Sequence, residues 1–223
     1  ELREKYRWPL GRPRKLFRVK EIEKYLGTSA EIWIMPEGFG SPTGSHKINT
    51  AIAQAYFAKQ SGKKVLVTET GAGQWGTAVA AAASMFGLKS EVFWVRNVMQ
   101  WKSNRLEAMK NYGAEVYPSP SEKTKAGRDV LAQHSDHPGD LGIAISEGVE
   151  TAAQNPDAVY VLGSVLNHVL LHQTIIGLEV KRQLEKNDRH PDFMVGCFGG
   201  GSNFGGFILP ILGEMLTGGK RDI

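Results

Sequence analysis

The sequence predicts an α/β protein with open parallel sheets and helices on both faces. Two observations carry this. Short apolar segments bounded by Gly, Pro or charge alternate with helix-length segments almost without interruption, the pattern of parallel strands joined by crossover helices. Two of the apolar segments run into glycine-rich loops that open onto helices. In order, strands are expected at 31–35, 64–68, 91–95, 115–117, 142–146, 159–162 and 194–198. Helices are expected at 48–61, 77–86, 101–112, 123–134, 147–154, 169–185 and 204–216. In the first helix, Ile48, Ile52, Ala55 and Tyr56 share one face. After the last helix come Gly218-Gly219-Lys220-Arg221-Asp222-Ile223 and no further strand, which reads as a chain truncated at its C-terminus.

A chain of 223 residues is long enough for a sizeable core. Its 41% hydrophobic and 22% charged residues are an ordinary soluble composition, and no run approaches a membrane span. The single cysteine, Cys197, excludes an internal disulfide and suits a reducing, cytoplasmic setting. It lies in an apolar run and reads as a buried small hydrophobe. The net charge of +4 is concentrated in residues 1–24, with nine Lys/Arg against four Glu. That segment also holds Trp8, Leu10, Leu16, Phe17, Val19 and Ile22, so it reads as an arm packed on the body with a solvated basic face, not as a nucleic-acid site. His134, His137, His168 and His172 lack the partners of a zinc site, and no metal is expected.

Three motifs carry chemistry. Lys47 immediately precedes a helix, where burial and the positive end of the helix dipole lower an amine's pKa toward the range a nucleophile needs. The apolar strand at 65–68 leads through Glu69 and Thr70 into Gly71, Ala72, Gly73 and Gln74, then into an alanine-rich helix. Backbone N–H groups of such a turn converge on an anion. Glu69 stands at the strand end, placed for acid–base work. A second apolar strand leads into Gly199, Gly200, Gly201, Ser202 and Asn203, a loop suited to a phosphate dianion. Neither loop has the Gly-Lys-Ser/Thr pattern of a nucleotide-binding P-loop. A reactive lysine, a carboxylate loop, a phosphate loop and a strand-end acid together are the equipment of a pyridoxal-phosphate enzyme acting on an amino acid.

At these residues the chain resembles the second, divergent branch of the tryptophan synthase β chains. The segments that carry the resemblance are Gly-Ser-His-Lys-Ile-Asn-Thr (44–50), Glu-Thr-Gly-Ala-Gly-Gln-Trp-Gly (69–76), Tyr-Gly-Ala-Glu-Val (112–116), Gly-Ile-Ala-Ile-Ser-Glu (142–147), the stretch 162–174 and Gly-Gly-Gly-Ser-Asn (199–203). Trp75 stands where the main branch has histidine. The resemblance implies a fold-type II pyridoxal-phosphate enzyme that joins indole to a serine-derived aminoacrylate. It assigns Lys47 to the cofactor imine and proton shuttling, and Glu69 to the proton transfers. Thr70, Gly71, Ala72, Gly73 and Gln74 take the substrate carboxylate. Gly199, Gly200, Gly201, Ser202 and Asn203 take the cofactor phosphate, with His46 beside it and Ser164 bordering the cofactor. It further implies an arm and first strand of the larger domain over 1–46, a smaller domain over 47–157, and the start of a larger phosphate-binding domain over 158–223. A cytoplasmic homodimer, serine and indole as substrates, and an α-chain partner belong to the same expectation. The arm departs from the family at Gly11–Leu16, and so does Trp33-Ile34-Met35-Pro36-Glu37-Gly38. The partner of the pyridine nitrogen is expected beyond residue 223. Alternatives of other classes are a serine or O-phosphoserine β-replacement or dehydratase-type elimination, and a non-catalytic binding module.

Overall fold

The computed structural model describes residues 1–218; the expected chain end at 219–223 lies outside the described residues. In chain order the elements are α1 (Leu2–Arg7), β1 (Phe17–Arg18), α2 (Lys20–Leu26), β2 (Trp33–Ile34), α3 (Ile48–Gln60), β3 (Val65–Thr70), α4 (Gln74–Phe86), β4 (Lys89–Val95), α5 (Arg96–Trp101), α6 (Ser103–Asn111), β5 (Ala114–Ser119), α7 (Lys125–Gln133), α8 (Leu141–Gln154), β6 (Ala158–Tyr160), α9 (Asn167–Lys186) and α10 (Ser202–Leu216). They form two compact units. The first comprises Glu1–Lys5 and Lys47–Gly163; the second comprises Tyr6–His46 and the residues from Ser164 on.

The first unit is built on a four-stranded sheet in the order β5-β4-β3-β6, parallel throughout. Period-two alternation along β4 assigns its residues to opposite faces. Val92 and Trp94 pack with Ala80 of α4 and Met109 of α6. Phe93 turns the other way, toward Val65, Val67 and Ala144 of α8. Helices therefore cover both faces, as the βα alternation requires. The run of buried alanines in α4 has no side chains long enough to hold the helix off the sheet. At Gly76 the approach is closest: a Cβ there would lie 2.8 Å from Val92 Cγ1 and 2.9 Å from Met109 Sδ.

Residues 142–146, expected as a strand, lie in α8. The Asp140 carboxylate caps that helix by accepting from the Ile143 N–H at 2.8 Å. A short apolar run such as Gly-Ile-Ala-Ile has no periodicity that separates a strand from a helix. The fully buried Glu147 of α8 then ties down the loop after β5, accepting from Ser121 N (3.0 Å), Ser121 Oγ (2.5 Å) and Thr124 Oγ1 (2.8 Å). The helix expected at 101–112 is broken at Lys102 into α5 and α6. Pairing of β6 with β3 carries the first unit past the expected 157/158 boundary to Gly163.

In the second unit the arm contributes the antiparallel pair β1–β2 and lies along α9. Leu16, Trp33 and Met35 pack with Val180, Leu184 and Phe207. Arg12 pairs with Glu37 and, at 2.6 Å, with Glu179, while Arg14 N donates to the same Glu179 carboxylate at 2.8 Å. Arg12 and Arg14 are buried, so these two residues of the arm do not belong to the solvated basic face expected from the sequence. Burial pushes the Glu179 carboxyl above its ordinary value, against the pull of Arg12.

The segment 193–198, expected as a buried strand, has no regular secondary structure and pairs with no strand among the described residues. Phe193, Val195 and Phe198 are exposed. Cys197 is exposed as well, which corrects its reading as a buried hydrophobe. An apolar segment is covered only where a neighbouring strand and a packed layer reach it.

Helices α9 and α10 meet through glycines. A Cβ on Gly206 would lie 2.3 Å from Gln173 Cβ and 2.5 Å from the Gln173 carbonyl oxygen. Gly206→Ala is therefore expected to force the helices apart and destabilise the protein by about 1–3 kcal/mol. Gly213→Ala, in the same helix with nothing within 4 Å of its Cβ, should be neutral or mildly stabilising. Denaturant midpoints of the two variants test this; equal midpoints would show that the close approach does not decide the packing.

Candidate functional site

In the first unit, the end of β3 presents Glu69 and Thr70 and then the turn Gly71–Gln74. All six residues of β3 are buried, so the chain becomes accessible only where the strand ends. Side-chain donors fix the carbonyls of the turn. Trp94 Nε1 donates to the Gly71 oxygen at 2.9 Å, and the Arg105 guanidinium donates to the Ala72 oxygen. The Gly73 oxygen accepts from Thr77 N at 3.0 Å and from Thr77 Oγ1 at 2.9 Å. The N–H groups of Ala72, Gly73 and Gln74 have no acceptor among the described residues. With their carbonyls held by other groups, these donors are available to an anion. Gly73 has φ 89°, and a Cβ there would lie 2.6 Å from Trp94 Cζ2, so both backbone and space require glycine. Thr70 Oγ1 accepts from Gly76 N at 3.2 Å and closes the turn.

Lys47 caps α3 in the same unit and is half-buried. Burial pushes its amine below the ordinary lysine range, and the Glu69 charge pulls the other way. Burial pushes the Glu69 carboxyl up; the Tyr160 hydroxyl, its own backbone N–H, Thr68 and the Lys47 charge oppose that rise. The two shifts run toward each other, so neutral amine and protonated acid become more accessible than for either group in water. Each shift suits a group that moves protons.

In the second unit, Gly201 has φ 87° and caps α10, whose first residue, Ser202, is buried. The N–H groups of Gly201, Ser202 and Asn203 have no acceptor among the described residues. His46 Nε2 lies 3.4 Å from Ser202 Oγ, and the His46 carbonyl accepts from Gln173 Nε2 at 3.2 Å. The Gly200 carbonyl accepts from Val165 N at 3.2 Å. A Cβ on Gly200 would lie 2.7 Å from Ser164 Oγ, whereas one on Gly199 would meet open space. The loop is thus tight against Ser164, with free donors and a hydroxyl at the helix start, and these features fit a phosphate dianion. The Asn203 amide donates one proton to the Cys197 carbonyl at 3.3 Å, which leaves its second amide proton and its backbone N–H available.

Residues 8–215 match the family model of the pyridoxal-phosphate dependent enzymes. The chain belongs to that family. It is 55% identical over 209 residues to the tryptophan synthase beta chain 2 of Methanothermobacter thermautotrophicus, covering 94% of this chain and 48% of the relative. It is 56% identical over 212 residues to the tryptophan synthase beta chain 2 of Thermotoga maritima, covering 95% and 50%. The chain therefore spans about half the length of the curated relatives it matches. A fungal L-serine ammonia-lyase from Rhizomucor miehei shares the fold, with a TM-score of 0.70 at 17% identity over 91% of this chain and 56% of the other.

Members of the family bind pyridoxal phosphate. Each unit by itself carries residues that fit such a group: the first an amine whose pKa burial lowers, the second a glycine loop with unspent donors. Among the described residues no group of three or more His, Cys, Asp or Glu could hold a metal ion, and no helix is long and apolar enough to cross a membrane. Sequence reasoning missed Arg105, Trp94 and Tyr160. No motif marks them, because each reaches the site only through packing between elements distant in the chain.

Gly200→Val tests the phosphate loop. The added side chain collides with Ser164 and displaces the loop, so pyridoxal-phosphate affinity is expected to fall at least tenfold, about 1.4 kcal/mol. Cofactor titration followed by absorbance measures it; an unchanged affinity would assign the loop another role.

Proposed function

We propose that the protein is a pyridoxal-phosphate-dependent lyase that makes L-tryptophan from L-serine and indole by β-replacement. The observation that carries the reading is that burial shifts Lys47 and Glu69 each toward its neutral form, in the same unit as a turn of unspent N–H donors. The relatives named above, similar over nearly all of this chain, support the choice of reaction.

When bound, pyridoxal phosphate supplies a carbonyl that condenses with amines and a ring that accepts electrons from the substrate's α-carbon. Lys47 would hold the cofactor and carry the α-proton. Gly199, Gly200, Gly201, Ser202 and Asn203, with His46, would hold the phosphate through the free N–H groups and the Ser202 hydroxyl; Ser164 would border the cofactor. Thr70, Gly71, Ala72, Gly73 and Gln74 would hold the substrate carboxylate. Glu69 would give a proton to the departing serine hydroxyl and take one from indole. A cytoplasmic homodimer partnered by a tryptophan synthase α chain belongs to this proposal and rests on the resemblance.

Lys47→Ala is expected to abolish both the cofactor's imine absorbance and turnover. Glu69→Ala should still bind serine but turn over at least a hundredfold more slowly, since acid–base groups contribute roughly 10²–10⁴-fold. Parallel loss of serine binding and turnover in Glu69→Ala would make Glu69 a support for the loop.

One observation favours a phosphorylated donor. Arg105 sits on the Ala72 carbonyl and brings a cation to the carboxylate turn. Turnover with L-serine against O-phospho-L-serine decides between them: if Arg105 serves the donor's phosphate, Arg105→Met should lower kcat/KM for phosphoserine at least tenfold and for serine much less. Equal effects would confine Arg105 to holding the turn.

A further inference from the structure

Glu69 is held by a residue that no motif announced. β6 pairs with β3 so that Tyr160 lies opposite Val67. Glu69 stands two residues further along β3, on the same face as Val67. Two residues of strand span roughly 6.6 Å, a distance a tyrosine covers and a serine or threonine does not. The Tyr160 hydroxyl donates to Glu69 Oε2.

The tyrosine is itself fixed. Its ring lies against α8 where Gly148 leaves room: a Cβ on Gly148 would be 3.0 Å from Tyr160 Cε2 and 3.4 Å from Cδ2. Burial and the neighbouring Glu69 carboxylate push the phenol far above its ordinary pKa, so it stays a donor at every working pH.

Thr68 shares this task only weakly. Its Oγ1 lies 3.4 Å from Glu69 Oε2 but 2.6 Å from the Val161 carbonyl oxygen, and it accepts from Trp75 Nε1 at 2.7 Å. A hydroxyl has one proton to give, and the short contact to Val161 takes it. Among the described residues Tyr160 is therefore the principal side-chain donor to Glu69 Oε2, with the longer Thr68 contact secondary. The titratable groups acting on Glu69 are Tyr160 from β6 and Lys47 from the start of α3; α8 presents Gly148 there.

We propose that Tyr160 is the positioning residue of Glu69: its hydroxyl engages Oε2, fixes the plane of the carboxyl and leaves Oε1 to exchange protons with the substrate. The inference rests on the reading of Glu69 as the acid–base group given under Proposed function. A donor to the charged form favours that form. Removing it should move the Glu69 titration to higher pH, and the acid limb of any rate that needs the carboxylate should move with it.

Tyr160→Phe keeps the ring beside Gly148 and removes only the oxygen. The first measurement uses the cofactor-free chain labelled with ¹³C at the glutamate carboxyls, with Glu69 assigned by its loss in Glu69→Gln. In Tyr160→Phe the Glu69 resonance is expected to titrate at higher pH than in the parent. A second measurement leaves the fold untouched: with ¹³C at the tyrosine ζ carbon, Tyr160 of the parent should report the Glu69 titration and cease to do so in Glu69→Gln. The third uses the cofactor-loaded protein with serine and indole. Here kcat should fall about tenfold or more, KM for serine should stay within about twofold, and the acid limb should shift upward. An unmoved Glu69 titration, or a Tyr160 resonance blind to Glu69, overturns the proposal; so does equal loss in kcat and serine binding. If the parent makes no tryptophan while both titrations behave as expected, Tyr160 still positions Glu69 and the proposed reaction is what falls.

Discussion

The first unit depends on the complete burial of β3. The strand is hydrogen-bonded along both edges, to β4 and β6, and covered on both faces. Nothing polar on it can reach solvent except at its carboxyl end, which is where open parallel sheets put their ligands. Thr68 completes the constraint just before that end. It accepts from Trp75 of α4 and donates to Val161 beyond β6, so one hydroxyl joins the helix, the central strand and its neighbour. Gly163 makes this geometry feasible, since a Cβ there would lie 2.4 Å from the Trp75 ring.

The two glycine loops solve one problem in the same way, in separate units. Each places a glycine with φ near 90° at a helix N-cap, Gly73 before α4 and Gly201 before α10. Each has its carbonyls engaged by other groups, which leaves N–H donors without partners. Accessible N–H donors at the start of a helix are groups with which an anion can complete its hydrogen bonding. The difference lies in the supporting side chains: a tryptophan and an arginine behind the first loop, a serine and a histidine at the second.

The charge arrangement follows from burial more than from pairing. Desolvation is the largest influence on both Lys47 and Glu69, and it moves the amine down and the acid up. The mutual attraction of the two charges opposes both shifts. Tyr160 and Lys47 together keep the acid from rising without limit, which is what a group that must both give and take protons needs.

The sequence by itself determined the βα order, the parallel sheet, the helix that begins after Lys47 and both glycine loops. These rest on local chemistry: period-two apolar runs, helical spacing, and glycines where the backbone must turn with positive φ. It misplaced 142–146, because a short apolar run fits a buried strand and a buried helix equally, and only the Asp140 cap and the packing of α8 on the sheet select the helix. It misjudged 193–198 and Cys197, because an apolar pattern states what could be buried and not whether a neighbouring layer covers it. Lys47, Glu69, Gly73 and Gly201 were legible as candidates because what singles them out is their own place on an element. Tyr160, Arg105 and Trp94 were not. Their hydrogen bonds join residues 91, 33 and 23 positions apart in the chain. Strand order and helix packing, which are decided only when the whole sheet assembles, bring those partners within reach.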